Sequence, residues 1–307
     1  MDSFFEEFSP QKKMDQEFKR WPHFLKMIKA GARIELTGYV FNNIFRLHLE
    51  KFVSLCLKNY DKNDLAPFVC SVIQEMLLRA GISNLREYFF QEIDFLNQNS
   101  FDYNEEEFRK FLNTLDLRSV RNSLKAKGLF LKVIIRHNRT MLIAEVLNNS
   151  KAIPSMEESL KQYIAFSMEY KDLMDYYKFY PEDKEGKDLG LAFSILTLRE
   201  IGLKPELFRI STGEGIYTSR IEIPLEGKYG SIREQILNDK EIFPFPKDNH
   251  KQENEPPWQT NPCSHCGRTV DDRILFSKIP DDIPIKNIPK SIQTESKICA
   301  WCVASYL

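Results

Sequence analysis

No excess of charge of either sign marks this 307-residue chain: 43 Lys and Arg stand against 44 Asp and Glu, a formal net charge of −1. That balance excludes the broad basic face that holds nucleic acid through its phosphates and leaves room only for a local patch. Long apolar runs are lacking as well. None approaches the roughly 18 residues that a helix needs to cross a bilayer, and the first ten residues carry Asp2, Glu6 and Glu7 where a secretion signal is basic. The expected setting is the cytoplasm, without a membrane partner. Cysteine is scarce, six in all, and Cys56 and Cys70 fall inside apolar helical patterns. A disulfide scaffold is thereby excluded, and those two read as inert core thiols. No internal repeat interrupts the chain.

Apolar material is sufficient for a substantial core, 42% of residues with 12% aromatic, on a chain long enough for one main domain and an appendage. Residues 1–31 read as a helical lead-in, interrupted by Pro22 and stopped at Gly31. A strand pattern at 33–37 precedes two helical stripes. The first carries Ile44, Leu47, Leu49, Phe52, Val53, Leu55 and Cys56; the second, capped by Asp64, carries Phe68, Val69, Val72, Ile73, Met76 and Leu77. Residues 97–106 are polar and predict a connection, followed by helices at 107–115 and 117–127.

Strand patterns at 129–136 and 141–147 flank a hairpin loop at 137–140. Helical periodicity returns at 155–177 and at 189–201, stopped by Gly202, and a last strand pair is predicted at 207–211 and 216–224. This order predicts an α+β two-layer sandwich over residues 32–226, with helices covering one face of an antiparallel or mixed sheet. Residues 227–256, rich in proline and charge toward their end, predict a linker to a small unit at 257–307.

The most informative stretch is Gly186-Lys187-Asp188-Leu189-Gly190-Leu191. A glycine-spaced turn that opens a helix lets backbone N–H groups crowd an anion while the helix dipole favours negative charge. The alternative reading is a plain packing turn.

Taken with the motif at 172–177 ahead of this loop and Leu207-Phe208-Arg209-Ile210 after it, residues 32–225 resemble the GHKL superfamily. That is the histidine-kinase-like ATPase (Bergerat) fold of histidine kinases, gyrase and the serine kinases that act as anti-sigma factors. The resemblance implies three motifs, each altered here. In the helix motif Glu-x-x-x-Asn, the Glu that activates water is Glu75, and the Mg²⁺-binding Asn is replaced by Arg79. An arginine cannot ligate a cation, but its planar fork suits phosphate oxygens directly; a carboxylate-paired helix residue is the other reading.

In the adenine-binding motif Asp-x-Gly-x-Gly, Asn148 replaces the Asp, Asn149 follows, and both glycines are absent; Asn148 still offers a carbonyl to adenine but loses charge assistance on the order of 1 kcal/mol, and an Asn-rich turn after a strand is the other reading. In the phosphate loop, Gly186, Lys187, Gly190 and Leu191 match, and Asp188 replaces the middle glycine. A carboxylate about 5 Å from a phosphate costs on the order of 3 kcal/mol at an effective dielectric near 20. The three changes together imply loss of ordinary Mg-ATP turnover. Before the matched region stands one histidine, His23 after Pro22, without the acidic neighbour of a phosphoacceptor histidine.

In the last unit, Cys263-Ser264-His265-Cys266 and Cys299-Ala300-Trp301-Cys302 form two C-x-x-C pairs, the pattern of a tetrahedral structural zinc site. A unit of about fifty residues gains from such a staple, and four thiolates leave no open position for a catalytic water. Free or redox-active dithiols are the alternative.

Three functions follow as expectations. The first is a non-catalytic or weakly nucleotide-binding signalling or scaffold protein with protein partners. The second is an active ATPase or serine kinase of the anti-sigma type, with Glu75 as base and Arg79 replacing Mg²⁺. The third is nucleic-acid binding through the zinc unit, against which the basic residues of 257–307 are offset by Asp271, Asp272, Asp281, Asp282 and Glu295.

Overall fold

The computed structural model describes residues 21–93, 101–150, 162–181, 189–213, 215–226, 231–232, 273–277 and 298–299. In chain order these form α1 (Trp21–Lys29), β1 (Arg33–Gly38), α2 (Asn43–Lys58), α3 (Ala66–Ile93), α4 (Phe101–Asn113), α5 (Leu117–Ala126), β2 (Leu131–His137) and β3 (Met141–Asn148). After these come α6 (Leu173–Phe179), α7 (Leu189–Glu200), β4 (Phe208–Gly213), β5 (Ile216–Pro224), β6 (Arg273–Ser277) and the two-residue β7 (Ile298–Cys299).

Strands β4-β5-β3-β2-β1 form one sheet in that order, and β6 and β7 continue it beyond β1. Every ladder among the described residues is antiparallel, so the mixed sheet left open by the sequence is not what forms. The connections explain this. Asn138 closes the β2–β3 hairpin, its Oδ1 accepting from the backbone N–H of Thr140 (2.9 Å) and Met141 (3.0 Å). Gly215 turns β4 into β5 at φ +75°, a left-handed conformation that glycine adopts without a steric cost.

The period-2 pattern divides the sheet's faces. Ile34, Val133, Ile135, Ala144, Val146 and Ile221 share the face packed by α1, α2, the first half of α3 and α7. This is an α+β fold with helices laid on one side of an antiparallel sheet. The opposite face carries the alternate residues, and its charges pair: Arg33–Glu35 at 2.8 Å, Arg136–Glu145 at 2.7 Å and Arg220–Glu222 at 3.0 Å. Glu222 is buried and also accepts from the Ile232 backbone N–H at 3.0 Å. Paired, hydrogen-bonded carboxylates are the form in which burial of charge is tolerated.

The 28-residue α3 is about 42 Å long. Pro67 stands in its first turn, where a missing N–H costs nothing. Its first half serves the main core, while Leu85 and Phe89 join Tyr39, Phe108, Val120, Leu124, Leu129 and Phe130 in a second, aromatic-rich cluster. Over Asn63–Gln91 the segment is long enough, and in an 18-residue window of mean hydropathy 1.4 apolar enough, to cross a membrane by length and composition. That corrects the expectation that no run approaches this length. The apolar residues are shared between the two core clusters, and a core helix passes the same test. Cys56 and Cys70 are buried free thiols, as expected; burial pushes the Cys70 thiol up to about 12 and that of Cys56 higher still.

Candidate functional site

One face of α3 carries two of the residues singled out by sequence, Glu75 and Arg79. Glu75, Arg79 and Ser83 recur at i, i+4 and i+8, stacking along about 12 Å of helix. Leu78 and Ile82, both exposed, flank this row. At the N-terminal end of the row, Nε of Arg79 lies 3.8 Å from Oε1 of Glu75, with both side chains 25% exposed. Glu preceding Arg by four residues is the favourable order for such a pair.

Against Glu75 runs the first turn of α7. A Cβ added to Gly190 would lie 1.7 Å from Oε1, 2.1 Å from Cδ and 2.7 Å from Oε2 of Glu75. The carboxylate thus occupies the space a side chain would need, and as the end of a flexible side chain it would have to turn aside for one. Leu191, next in the loop motif, is buried in the main core, and Ser194 hydrogen-bonds the Gly190 carbonyl at 2.9 Å.

Farther along the row, Oγ of Ser83 lies 2.6 Å from Oγ of Ser150. Ser150 accepts from Nδ2 of Asn148 at 2.7 Å, and the same nitrogen donates to Oδ1 of Asn84 at 3.2 Å. Asn84 in turn donates to the Phe130 carbonyl at 2.8 Å. Asn148, at the end of β3, is therefore knit into a buried polar chain that ties α3 to β2 and β3. Asn149 is also engaged, accepting from the Phe130 N–H and donating to the Gly128 carbonyl, each at 2.9 Å. Its side-chain amide stands in for a strand neighbour to the start of β2.

The segment before α7 is anchored to it. Asp172 caps α6, its Oδ1 accepting from Met174 N (2.8 Å) and Asp175 N (3.1 Å). Tyr170 and Tyr176 pack on Ala192 of α7, and Arg199 donates to the Met168 carbonyl. Around α6 the outer apolar groups face solvent: Phe166, Leu173, Met174 at 64% exposure, Tyr177 and Phe179. Phe166 and Phe179 stack at 5.7 Å.

On the far end of β2, His137 is buried, with Nδ1 2.9 Å from the Tyr60 hydroxyl. Burial pushes its imidazole down to about 4, against a smaller opposing effect of the Ala32 backbone. Gly186, Lys187, Asp188, Cys263, Cys266 and Cys302 lie outside the described residues. Cys299 is in β7, paired in register with Leu275. Among the described residues no group of three or more His, Cys, Asp or Glu side chains is placed to hold a metal.

The structure thus brings Glu75, Arg79 and Gly190 together, and sets Asn148 at the other end of the same row. Ser83 was within reach of sequence reasoning, since it continues the four-residue spacing from Glu75. Asn84 and Ser150 gave no signal, because a polar residue in a buried chain is recognisable only from the partners that satisfy it.

No family model matches the chain, and no solved structure matches it. The chain is 22% identical over 204 residues to an uncharacterized protein of Treponema pallidum (strain Nichols). The match takes in 65% of this chain and 39% of that protein's length.

Proposed function

We propose that this chain is a non-catalytic or weakly nucleotide-binding signalling or scaffold protein, built on a degenerate histidine-kinase-like ATPase domain of Bergerat type. The observation that carries the reading is the engagement of the would-be catalytic groups with one another. Glu75 is lodged against Gly190 and paired with Arg79, so it is not disposed to activate a water beside a metal. The amide nitrogen of Asn148 is likewise engaged by Asn84 and Ser150. For protein partners, support comes from the exposed apolar groups around α6, the kind of patch that marks association surfaces.

A cytoplasmic setting and a small C-terminal unit belong to the same proposal. Cys263, Cys266, Cys299 and Cys302 would hold Zn²⁺, since four thiolates suit that ion and would staple the unit without adding catalysis. Mg²⁺ has no place in this reading, because Arg79 stands where its ligand would.

Calorimetric titration of the zinc-replete chain with a non-hydrolysable ATP analogue, with and without Mg²⁺, tests it. The expected result is a dissociation constant in the millimolar range or no heat at all. Micromolar, Mg²⁺-dependent binding accompanied by ATP turnover would refute it. A second reading, favoured by the partial exposure of Arg79 on the same face as Glu75, makes Arg79 the phosphate-binding cation of a metal-independent nucleotide site. It predicts micromolar binding that EDTA leaves unchanged.

A further inference from the structure

We infer that the second face of the sheet, opposite α1, α2 and α7, is a docking surface for the chain's own residues 233–272, and above all for the apolar run at 236–245. Alternation puts Ile134, Met141 and Ile143 on this face, with 5%, 2% and 2% of their surfaces exposed. None of the three belongs to a core cluster built with the described helices. The carboxylates Glu35 and Glu222 are equally buried there. Register sets Glu35, Ile134, Glu145 and Arg220 in one row across the strands, and Arg136, Ile143 and Glu222 in the next. An antiparallel sheet can leave one face to water, so apolar groups this deeply buried call for a cover.

Where the chain leaves and rejoins the sheet identifies the occupant. After β5 ends, the Ile232 N–H donates to Oε2 of Glu222 at 3.0 Å, so the chain has already turned onto this face. It re-enters the sheet at Arg273, opposite Thr37 of β1. Four antiparallel ladders separate β5 from β6, which makes the two strands parallel and requires a crossover. The crossover spans about 19 Å, four strand spacings, and helices hold the other face. Forty residues, 233–272, reach up to about 140 Å. They include Ile236, Leu237, Ile242, Phe243 and Phe245, and their eight Asp and Glu outnumber five Lys and Arg. The face has the opposite balance on β1–β5: Arg33, Lys132, Arg136, Arg209 and Arg220 against Glu35, Glu145 and Glu222. Charge of complementary sign sets the register of such a contact. Residues 233–256 are then part of the domain instead of a free linker, and the exposed apolar groups around α6 are left as the surface for other proteins. None of this depends on the nucleotide reading.

Methionine oxidation by hydroxyl radicals, read by mass spectrometry on the full chain, tests the inference. Met141 reports on the second face, Met27 and Met76 on the helix-covered core, and Met174, 64% exposed, on open solvent. The test variant combines Ile242→Ser, Phe243→Ser and Phe245→Ser. It should raise the oxidation rate of Met141 at least about fivefold while Met27 and Met76 keep theirs. An unchanged Met141 in the folded variant overturns the proposal. Should all three buried methionines react faster, the variant is unfolded, and a photo-cross-linker decides. Benzoylphenylalanine placed at Glu145, whose side chain is 15% exposed on this face, should link within the same chain to a peptide of residues 233–272. No link, a link to residues 1–20 or 278–297, or a link to a second copy overturns it.

Discussion

Replacing Asn84 by alanine should destabilise the protein by about 2–4 kcal/mol. Asn84 is wholly buried, donates to the Phe130 carbonyl at 2.8 Å and accepts from Asn148 at 3.2 Å. Truncation deletes two hydrogen bonds of about 1 kcal/mol net each and strands the Phe130 carbonyl, which adds about 1–2 kcal/mol. Asn148 keeps its 2.7 Å bond to Ser150, so its own loss is partial. At about 2–4 °C per kcal/mol for a domain of this size, the melting temperature should fall by about 4–16 °C. Urea unfolding followed by circular dichroism reads the change directly, with Ser83→Ala as a control that removes only the 2.6 Å bond to Ser150 and should cost about 1 kcal/mol. A change below about 0.5 kcal/mol for Asn84→Ala, at an unaltered m-value, would refute the idea that this polar chain ties α3 to the sheet.

Three further outcomes are expected. The unfolded chain protonates His137 near pH 6.5, whereas the folded chain resists until about 4, so the stability due to the neutral imidazole is complete above 6.5 and is lost as the pH falls. Wild type should lose about 2 kcal/mol more than His137→Gln between pH 7 and pH 5 in urea titrations, and parallel losses would contradict the assignment. Gly190→Ala should change stability by no more than about 1 kcal/mol, because a better helix former offsets a displaced Glu75; a loss above about 3 kcal/mol in the same assay would show the carboxylate to be locked in place. Native mass spectrometry should find one zinc per chain, lost in Cys266→Ser, and a metal-free wild type would remove the zinc unit from the proposal.

The elements themselves were largely legible in the residues. The strand patterns at 33–37, 129–136 and 141–147, which form as Arg33–Gly38, Leu131–His137 and Met141–Asn148, and the stripes of α2 and α3 follow from periods of 2 and 3.6 residues, which need no tertiary information. The loop–helix boundary at Leu189 and the stop at Gly202 (φ +75°) were equally local. Less legible was the length of α3: the residues beyond Asn84 carry aromatics whose burial depends on α4 and α5, helices supplied later in the chain. The choice between an antiparallel and a mixed sheet was also left open, since strand direction is fixed by connections and not by alternation; every ladder among the described residues is antiparallel.

What the sequence by itself determined is the inventory: an α+β domain, charges in balance, a glycine at the start of α7, and Glu75 one turn from Arg79. Only the tertiary structure decided what those groups touch. Glu75 meets Gly190 because packing of α3 on α7 sets two residues far apart in the chain within contact distance, and the side-chain amides of Asn148 and Asn149 find partners on α3 and just before β2. The physical reason is that a side chain's chemistry belongs to its type, whereas its availability depends on long-range contacts that no local pattern encodes.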